Sequence, residues 1–437
     1  MKFWTVSEWG RLPYGEGPDR IPAPLADRIA AAARASPLAG RHGENVLEQG
    51  RHDLRAKQMV GVVAAEGCAL EILPKIDGLG EASDAEGRGR VRERLVRLLA
   101  VALDLKIAPG RMVSLGWQRH HLLEILIRLF ADQLLDQVRL GLPRQYVARE
   151  EDLPALRGRL DAVRQFTTLA SSPQKLACRF DSLSPDILIN RTMKVAILRL
   201  QGMARAPETQ RRLRELAFAY AEISPLARGS TAWENIVLDR TNARWHGPLA
   251  LARLLLDRRY QTTSAGTAEG ISLLFDMNLL FERYVAALLR RACQGSALRV
   301  AAQSGGLFCL REIEEDGRDG RRCFRTKPDI LLKRAGRVEM LLDTKWKRLD
   351  PPEKDKTRNL SQADVYQMMA YASLYCCPRL MLFYPHHGAL GREEGVQGSY
   401  RIDLGGERLD VVTLDLAREH HPDKVRSILS SALDEAA

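Results

Sequence analysis

The 437-residue sequence predicts a mixed α and β protein, α+β or α/β, in two parts. Short apolar stretches separated by turns run to about residue 80, and long stretches with helical spacing follow to about residue 258. After a polar stretch at 260–270, helix and strand patterns alternate. We therefore expect an N-terminal β-rich and then helical domain over 1–262, and a second domain over 263–437.

In the first part, three stretches predict strands: Lys2 to Val6, QMVGVV at 58–63 and ALEILPK at 69–75. Helical spacing then appears at 91–105 and again at 120–142. A later stretch, FDSLSPDILINRTMKVAILRLQGMA, has the polar start and apolar continuation of a helix. The N-terminal half is therefore expected to be β-rich at first and mainly helical afterwards.

In the second part, the predicted order is helix, three strands, helix and further strands. The two helices are ISLLFDMNLLFERYVAALLRRA and ADVYQMMAYASLY. The predicted strands are GLFCLRE, PDILLKR, RVEMLLDTKW, RLMLFYP, YRIDL and LDVVTLDL. A tight turn at Arg334-Ala335-Gly336-Arg337 is expected to pair PDILLKR with RVEMLLDTKW.

Composition favours a polyanionic partner, because 66 Lys and Arg stand against 55 Asp and Glu and the formal charge is +11. A basic chain need not bind nucleic acid, so charge alone leaves this open.

The start resembles no signal peptide and no stretch is long and apolar enough for a membrane span, so we expect a cytoplasmic protein without membrane contact. The seven cysteines lack CxxC spacing and indicate neither a disulfide framework nor a zinc site.

Charged residues lie in two apolar stretches that read as central strands. Asp343 and Lys345 are two apart, so on a strand they share a face. Asp329, at the end of the neighbouring strand, would place a second carboxylate beside them. Two carboxylates and a lysine suit Mg²⁺ and the activation of water for attack on phosphorus. The alternative is a surface ion pair on an edge strand, with Pro328-Asp329 in a turn.

Residues on the flanking helices fit the same site. Glu282 lies beside an apolar helix face and would be a further metal ligand, or else a solvated glutamate. Gln367 and Tyr371 are four apart and share a face of the later helix, where they would either position water and DNA backbone or line a packed surface. Ser361 and Asp364 are expected to supply a capping start for that helix.

This order of elements and acids resembles the PD-(D/E)XK nuclease core. More specifically, FDMNLLFERYV, TKPDILL, LLDTKWK and ADVYQMMAYA resemble the McrC family, the nuclease subunit of the McrBC system that cuts DNA carrying modified cytosine. VGVVAAEGCALEILPKID, LRGRLD and SPDILINRTMK are similar to the family's pattern upstream. The resemblance spans nearly the whole chain and is strongest over 273–375.

The resemblance implies a C-terminal restriction-endonuclease-like domain with Asp329, Asp343 and Lys345 as the catalytic set and Gln367 and Tyr371 as the accompanying helix motif. It implies Mg²⁺ held by Asp329 and Asp343, with Glu282 as a further ligand. The implied partners are double-stranded DNA and an McrB-like AAA+ GTPase hexamer, on which the N-terminal region docks and whose GTP hydrolysis it stimulates.

No G-x-x-x-x-G-K-[ST] phosphate loop is present in the sequence, so nucleotide-driven steps are expected to come from that partner. Two other functions stay open: an interaction subunit with a dormant nuclease site that activates the GTPase, and a stand-alone nuclease of the same superfamily.

Overall fold

A computed structural model of the chain describes most of its residues. These are residues 2–38, 40, 45–76, 84–105, 107, 115–172, 174–226, 233–256, 261–263, 271–303, 306–315, 318–351, 354–355, 358–403, 405–418 and 422–434.

The described strands fall into five sheets. The strands are β1 (Lys2–Ser7), β2 (Arg11–Pro13), β3 (Leu47–Gln49), β4 (Asp53–Ala56), β5 (Met59–Ala65), β6 (Cys68–Leu73), β7 (Gln145–Leu153), β8 (Arg159–Leu160), β9 (Leu176–Ser184), β10 (Gln261–Thr263), β11 (Ile271–Asp276), β12 (Leu298–Ala302), β13 (Phe308–Ile313), β14 (Asp319–Arg325), β15 (Ile330–Arg334), β16 (Arg337–Thr344), β17 (Arg379–Pro385), β18 (Gly395–Arg401) and β19 (Arg408–Leu414).

The described α-helices are distributed along the whole chain. They are α1 (Ala23–Arg34), α2 (Ala85–Ala102), α3 (Leu122–Arg139), α4 (Ala162–Phe166), α5 (Leu188–Met203), α6 (Pro207–Ala219), α7 (His246–Leu256), α8 (Met277–Ala292), α9 (Gln362–Tyr375) and α10 (Pro422–Asp434). The mixed α and β class predicted from the sequence is confirmed. None of these helices has the length and apolar character needed to cross a membrane.

The first large sheet has the order β1-β6-β5-β11-β10 and packs against α1. The three strands predicted near the N-terminus are confirmed as β1, β5 and β6, whereas α1 was missed within a region expected to be β-rich. Residue 61 must be glycine for this sheet to form, because a Cβ there would lie 2.0 Å from the carbonyl oxygen of Leu273 in β11.

A buried ion pair joins this sheet to the helices that follow it. Glu71 of β6 is fully buried and accepts three hydrogen bonds from the Arg92 guanidinium, at 2.7–3.2 Å. The same carboxylate accepts the backbone N–H of Leu122 at 2.8 Å and the Thr5 hydroxyl at 3.0 Å. One side chain therefore links β1, β6, α2 and the start of α3, and its charge is fully compensated.

The second large sheet is mixed and has the order β12-β15-β16-β17-β19-β18. Strand β16 lies between β15, which is antiparallel to it, and β17, which is parallel. Helix α9 packs on one face through Met368, Tyr371 and Ala372. The predicted turn is confirmed: Ala335 and Gly336 have φ of 46° and 85°, as a two-residue hairpin turn requires.

One prediction about the second part was wrong. Residues 271–276 were predicted as helix and form β11, because Asp276 caps α8 and the chain before it is extended. GLFCLRE forms β13, which pairs only with β14 among the described strands, and β12 lies beside β15. A short apolar run bordered by other strands has no periodicity that separates it from a helix.

By contacts the described chain forms two compact units, residues 1–123 with 258–437, and residues 124–257. Of the polar stretch at 260–270, residues 261–263 form β10 and residues 264–270 lie outside the described chain. The boundary predicted at residue 262 separates a partner-docking region from a nuclease region. It stays a prediction.

The second unit contains a sheet of order β7-β9-β8 together with α4 to α7. This sheet interrupts a region that was predicted as mainly helical. Asp186, ahead of α5, accepts two hydrogen bonds from Arg191, at 2.8 Å each, and two from Ser224, and it thereby ties both segments together. The Arg191 guanidinium holds the pKa of the Asp186 carboxyl well below its usual range.

We expect Arg92→Met to lower the free energy of unfolding by about 3–5 kcal/mol, because it leaves Glu71 as an uncompensated buried charge. The matched control is Arg90→Met on the same helix, whose ion pair with Glu86 is exposed and should matter by less than about 1 kcal/mol. Urea denaturation of both variants measures the difference. Equal effects would contradict a structural role for the buried pair.

Candidate active site

Asp343 is a carboxylate on a buried strand. It lies near the end of β16 and is 2% exposed. Because alternate residues of a strand share a face, Asp343 lies on the same side as Leu341, against which α9 packs. Burial, and next the charge of Asp329, raise the pKa of Asp343 to about 6.

Lys345 compensates this buried charge. Its ammonium lies 2.7 Å from Asp343 Oδ2 and 3.3 Å from Asp364 Oδ1, and it donates to Gln367 Oε1 at 3.1 Å. Burial opposes the charged lysine, but the two carboxylates outweigh it and raise the pKa of Lys345 above its ordinary value. The lysine is therefore an ammonium at neutral pH, held on three sides.

Asp329 directly precedes β15, beside the end of β16. Its Oδ2 accepts the backbone N–H and the hydroxyl of Thr344, both at 2.8 Å. Both bonds end on the same oxygen of the carboxylate. The Gln303 N–H binds the Asp329 carbonyl at 2.8 Å, which adds β12 to the supports of this residue.

Glu282 on α8 faces the same group of acids. Burial, and next the charge of Asp329, raise the pKa of Glu282 to about 7, while a hydrogen bond from Gln303 opposes this shift. Such a shift arises where a carboxyl is poorly solvated and lies close to another carboxylate. The structure thus places Glu282 near Asp329 in a partly buried position, rather than on a solvated helix face.

Gln367 and Tyr371 connect the lysine to α9. The Gln367 amide nitrogen donates to the Tyr371 hydroxyl at 2.9 Å, while its oxygen accepts from Lys345. Tyr371 is 6% exposed, and burial raises its pKa. The structure therefore brings together all six predicted site residues; their catalytic roles stay predictions. We call this group, with Asp364, the carboxylate–lysine cluster.

Asp364 is a member of the cluster that the sequence did not reveal. It is 7% exposed and binds Lys345 through one oxygen and Lys347 through the other, at 3.3 and 3.0 Å. Its position in the first turn of α9 was attributed to capping alone. The one available signal was its place three residues before Gln367, on the same helix face.

A second missed residue, Glu8, comes from the N-terminal sheet. Its carboxylate is 3% exposed, accepts the Lys75 N–H at 2.7 Å, and accepts the Trp346 indole N–H at 3.2 and 3.3 Å. Trp346 in turn packs on Phe281 with ring centroids 5.7 Å apart. Trp346 directly follows the lysine, so Glu8 binds the side chain next to Lys345 in sequence. No sequence pattern relates residues 338 positions apart.

The side chains of the cluster would supply only some of the ligands that a hard divalent cation needs. Within the described residues, no three His, Cys, Asp or Glu side chains are arranged as a complete metal-binding group. Mg²⁺, however, is typically held by one or two carboxylates, with water and substrate phosphate completing its shell. The carboxylate oxygens of the half-buried Asp329 and the buried Asp343 fit that limited requirement.

Fold and cluster together define an α+β protein with a carboxylate- and lysine-lined site at the end of a central strand. The family model for the McrBC 5-methylcytosine restriction system component matches residues 54–385. The chain belongs to the McrC family of McrBC restriction system components, as its motifs predicted.

Two solved structures share the fold. A half-complex from a tetradecameric assembly of Thermococcus gammatolerans McrB AAA+ hexamers with bound McrC matches with a TM-score of 0.69 and 20% identity, over 100% of both chains. A cryo-EM structure of the Thermococcus gammatolerans McrBC complex matches with a TM-score of 0.54 and 23% identity, over 67% of this chain and 88% of that chain. Curated proteins gave no match.

Burial raises the pKa of Glu8 above its ordinary 4.5, against the opposing hydrogen bonds from Lys75 and Trp346. The folded protein therefore binds more protons at this group than the unfolded chain, and stability from it falls as pH rises above 4.5. We expect wild type to lose stability relative to Glu8→Gln over that rise, since the amide oxygen can keep both hydrogen bonds. Urea denaturation across this pH range measures the trend; a constant difference would contradict it.

Proposed function

We propose that the chain is the Mg²⁺-dependent endonuclease subunit of a McrBC-type, GTP-dependent restriction system. It hydrolyses phosphodiester bonds of double-stranded DNA carrying modified cytosine, through a PD-(D/E)XK site. The observation that carries this proposal is the convergence of Asp329, Asp343 and Lys345 at the end of β16. An ordinary edge-strand ion pair would be solvated, whereas here Asp343 is buried and its half-buried lysine is bound to Gln367.

Asp329 and Asp343 are the residues that would hold Mg²⁺, with Glu282 as a further ligand. Bound there, Mg²⁺ supplies Lewis acidity toward a phosphate oxygen and lowers the pKa of water. Burial is the first cause of the raised pKa values of Asp343 (about 6) and Glu282 (about 7), and the charge of Asp329 is the second. A bound cation would favour the ionised form of both carboxylates.

Lys345 acts as a fixed positive charge and hydrogen-bond donor. Because its pKa is raised, it does not take a proton from water at neutral pH. Its ammonium instead orients the attacking water and stabilises the negative charge that develops on the phosphate. Gln367 and Asp364 hold that ammonium in place, and Tyr371 holds Gln367.

The two rival functions fit less well. A dormant subunit would have no need to keep a costly buried acid, its lysine and the supporting glutamine together. A stand-alone nuclease would leave the second unit, residues 124–257, without a role.

Asp343→Asn and Lys345→Met are each expected to abolish cleavage of modified duplex DNA in the presence of the partner, GTP and Mg²⁺. The asparagine weakens the cation site, and the methionine removes the charge that orients water. Gln367→Ala should lower the rate by about 10- to 1,000-fold, the size of a lost positioning contact. Single-turnover cleavage assays measure all three.

The control for these variants is Gln362→Ala, which lies on the same helix with its amide bound to the exposed Tyr366 hydroxyl. Its cleavage rate should equal that of wild type. Wild-type cleavage by Asp343→Asn or Lys345→Met would refute the assignment. A large loss of melting temperature in Gln367→Ala with normal turnover would make that residue structural instead.

For the partner, we propose an AAA+ GTPase hexamer that binds the sheet of the second unit. McrC is bound to McrB AAA+ hexamers in the related Thermococcus gammatolerans assembly. In the described chain, 11 of the 19 large apolar side chains that are exposed lie within residues 124–257. Six consecutive residues of β7 are exposed, and Tyr146 of that strand pairs with the exposed Leu183 of β9. Such exposure marks an interaction surface.

Tyr146→Asp should weaken binding of the GTPase partner by about 10-fold or more and lower the stimulation of GTP hydrolysis, because it places a charge in an apolar contact. The matched control is Phe218→Asp on α6, whose ring is 83% exposed and lies outside the sheet. Partner binding and GTP turnover measured on both variants decide the matter. Equal effects, or no effect of either, would exclude this sheet as the docking surface.

A further inference from the structure

Strands β13 and β14 form a hairpin that covers no core. Among the described strands they pair only with each other, and most of their residues are exposed. Leu310, Ile313 and Phe324 are 58%, 76% and 72% exposed. A two-stranded hairpin without a packed face contributes little stability, so its role lies outside the fold. We call residues 306–315 with 318–327 the ribbon.

The root of the ribbon is firmly attached beside the cluster. Thr326 is 4% exposed, and its N–H and hydroxyl both bind the Leu307 carbonyl, at 2.7 and 2.9 Å. The Thr326 hydroxyl also lies 2.8 Å from the Tyr375 hydroxyl, which accepts the Gly306 N–H at 3.3 Å. These hydrogen bonds attach the ends of both strands to Tyr375 of α9.

A continuous series of contacts leads from this root to the lysine. Tyr375 packs edge-on against Tyr371, with centroids 6.4 Å apart. Tyr371 accepts from Gln367, and Gln367 accepts from Lys345. Asp329 follows Thr326 by three residues. Whatever binds the root of the ribbon therefore lies beside the proposed scissile phosphate.

Charge is unevenly distributed along the ribbon. Residues 321–327 contain four basic side chains and no acid, whereas residues 312–319 contain five acids against one arginine. Arg322 lies directly opposite Arg311 in the strand pairing, and both are exposed. Like charges placed opposite each other are unfavourable unless an anion lies between or beside them. Asp319 at 2.6 Å compensates Arg311.

We propose that the basic root of the ribbon, Arg321, Arg322, Arg325 and Lys327, binds the phosphate backbone of duplex DNA next to the cleavage site. This inference rests on the proposed nuclease function. The acidic tip repels the duplex, so the DNA crosses the ribbon at its root rather than along its length. Phe324 lies exposed between Arg322 and Arg325 in the same strand.

The test is the affinity of the full chain for a short fluorescein-labelled duplex, measured without Mg²⁺ at several salt concentrations. Arg321→Gln with Arg322→Gln should weaken binding by about 10-fold or more and reduce the slope of log K against log salt by about 2, for two lost phosphate contacts. Arg321→Lys with Arg322→Lys should keep the wild-type slope, because both charges remain.

The matched control is Arg401→Gln with Arg418→Gln, which removes two exposed charges elsewhere in the same unit. Its slope should equal that of wild type. Equal losses in both double variants, or no loss in the ribbon variant, would overturn the proposal. Normal DNA binding by the ribbon variant, together with loss of cleavage in Asp343→Asn, would remove the ribbon's role and leave the nuclease function standing.

Discussion

The buried carboxylate of Asp343 is the constraint on which the rest of the site depends. A charge at 2% exposure on a central strand costs several kcal/mol unless it is compensated. Lys345 compensates it, and the same ammonium also binds Asp364 and Gln367 of α9. One cation therefore fixes both the electrostatics of β16 and the position of the helix beside it, so that fold and site share the same contacts.

The N-terminal sheet contributes to this arrangement from a distance in sequence. Strands β10 and β11 complete a sheet begun by β1, β5 and β6, so segments on both sides of the second unit fold together. Glu8 then binds the indole of Trp346, directly after the lysine. The N-terminal part of the chain therefore contacts the residue that directly follows Lys345.

Local patterns predicted the parts of the fold that local physics determines. Alternation placed Asp343 and Lys345 on one face, and helical spacing located α2 and α3, because each depends on residues close in sequence. Strand β11 was mistaken for helix, since a strand covered by neighbours on both sides is a plain apolar run. Asp364 and Glu8 escaped notice because only tertiary packing brings them to Lys345 and Trp346.

The balance of charge in the cluster explains why the residues that would bind the DNA backbone differ from those that would act in cleavage. The cluster contains four carboxylates, those of Glu282, Asp329, Asp343 and Asp364, and its resident cation is Lys345, joined at Asp364 by Lys347. A polyanion approaching such a site is repelled, although the whole chain carries +11. Within the proposed function, a divalent cation must therefore offset the acids at the reacting phosphate, and positive side chains outside the cluster must hold the remaining backbone. The carboxylates that repel DNA are thus the same groups that make a bound cation favourable.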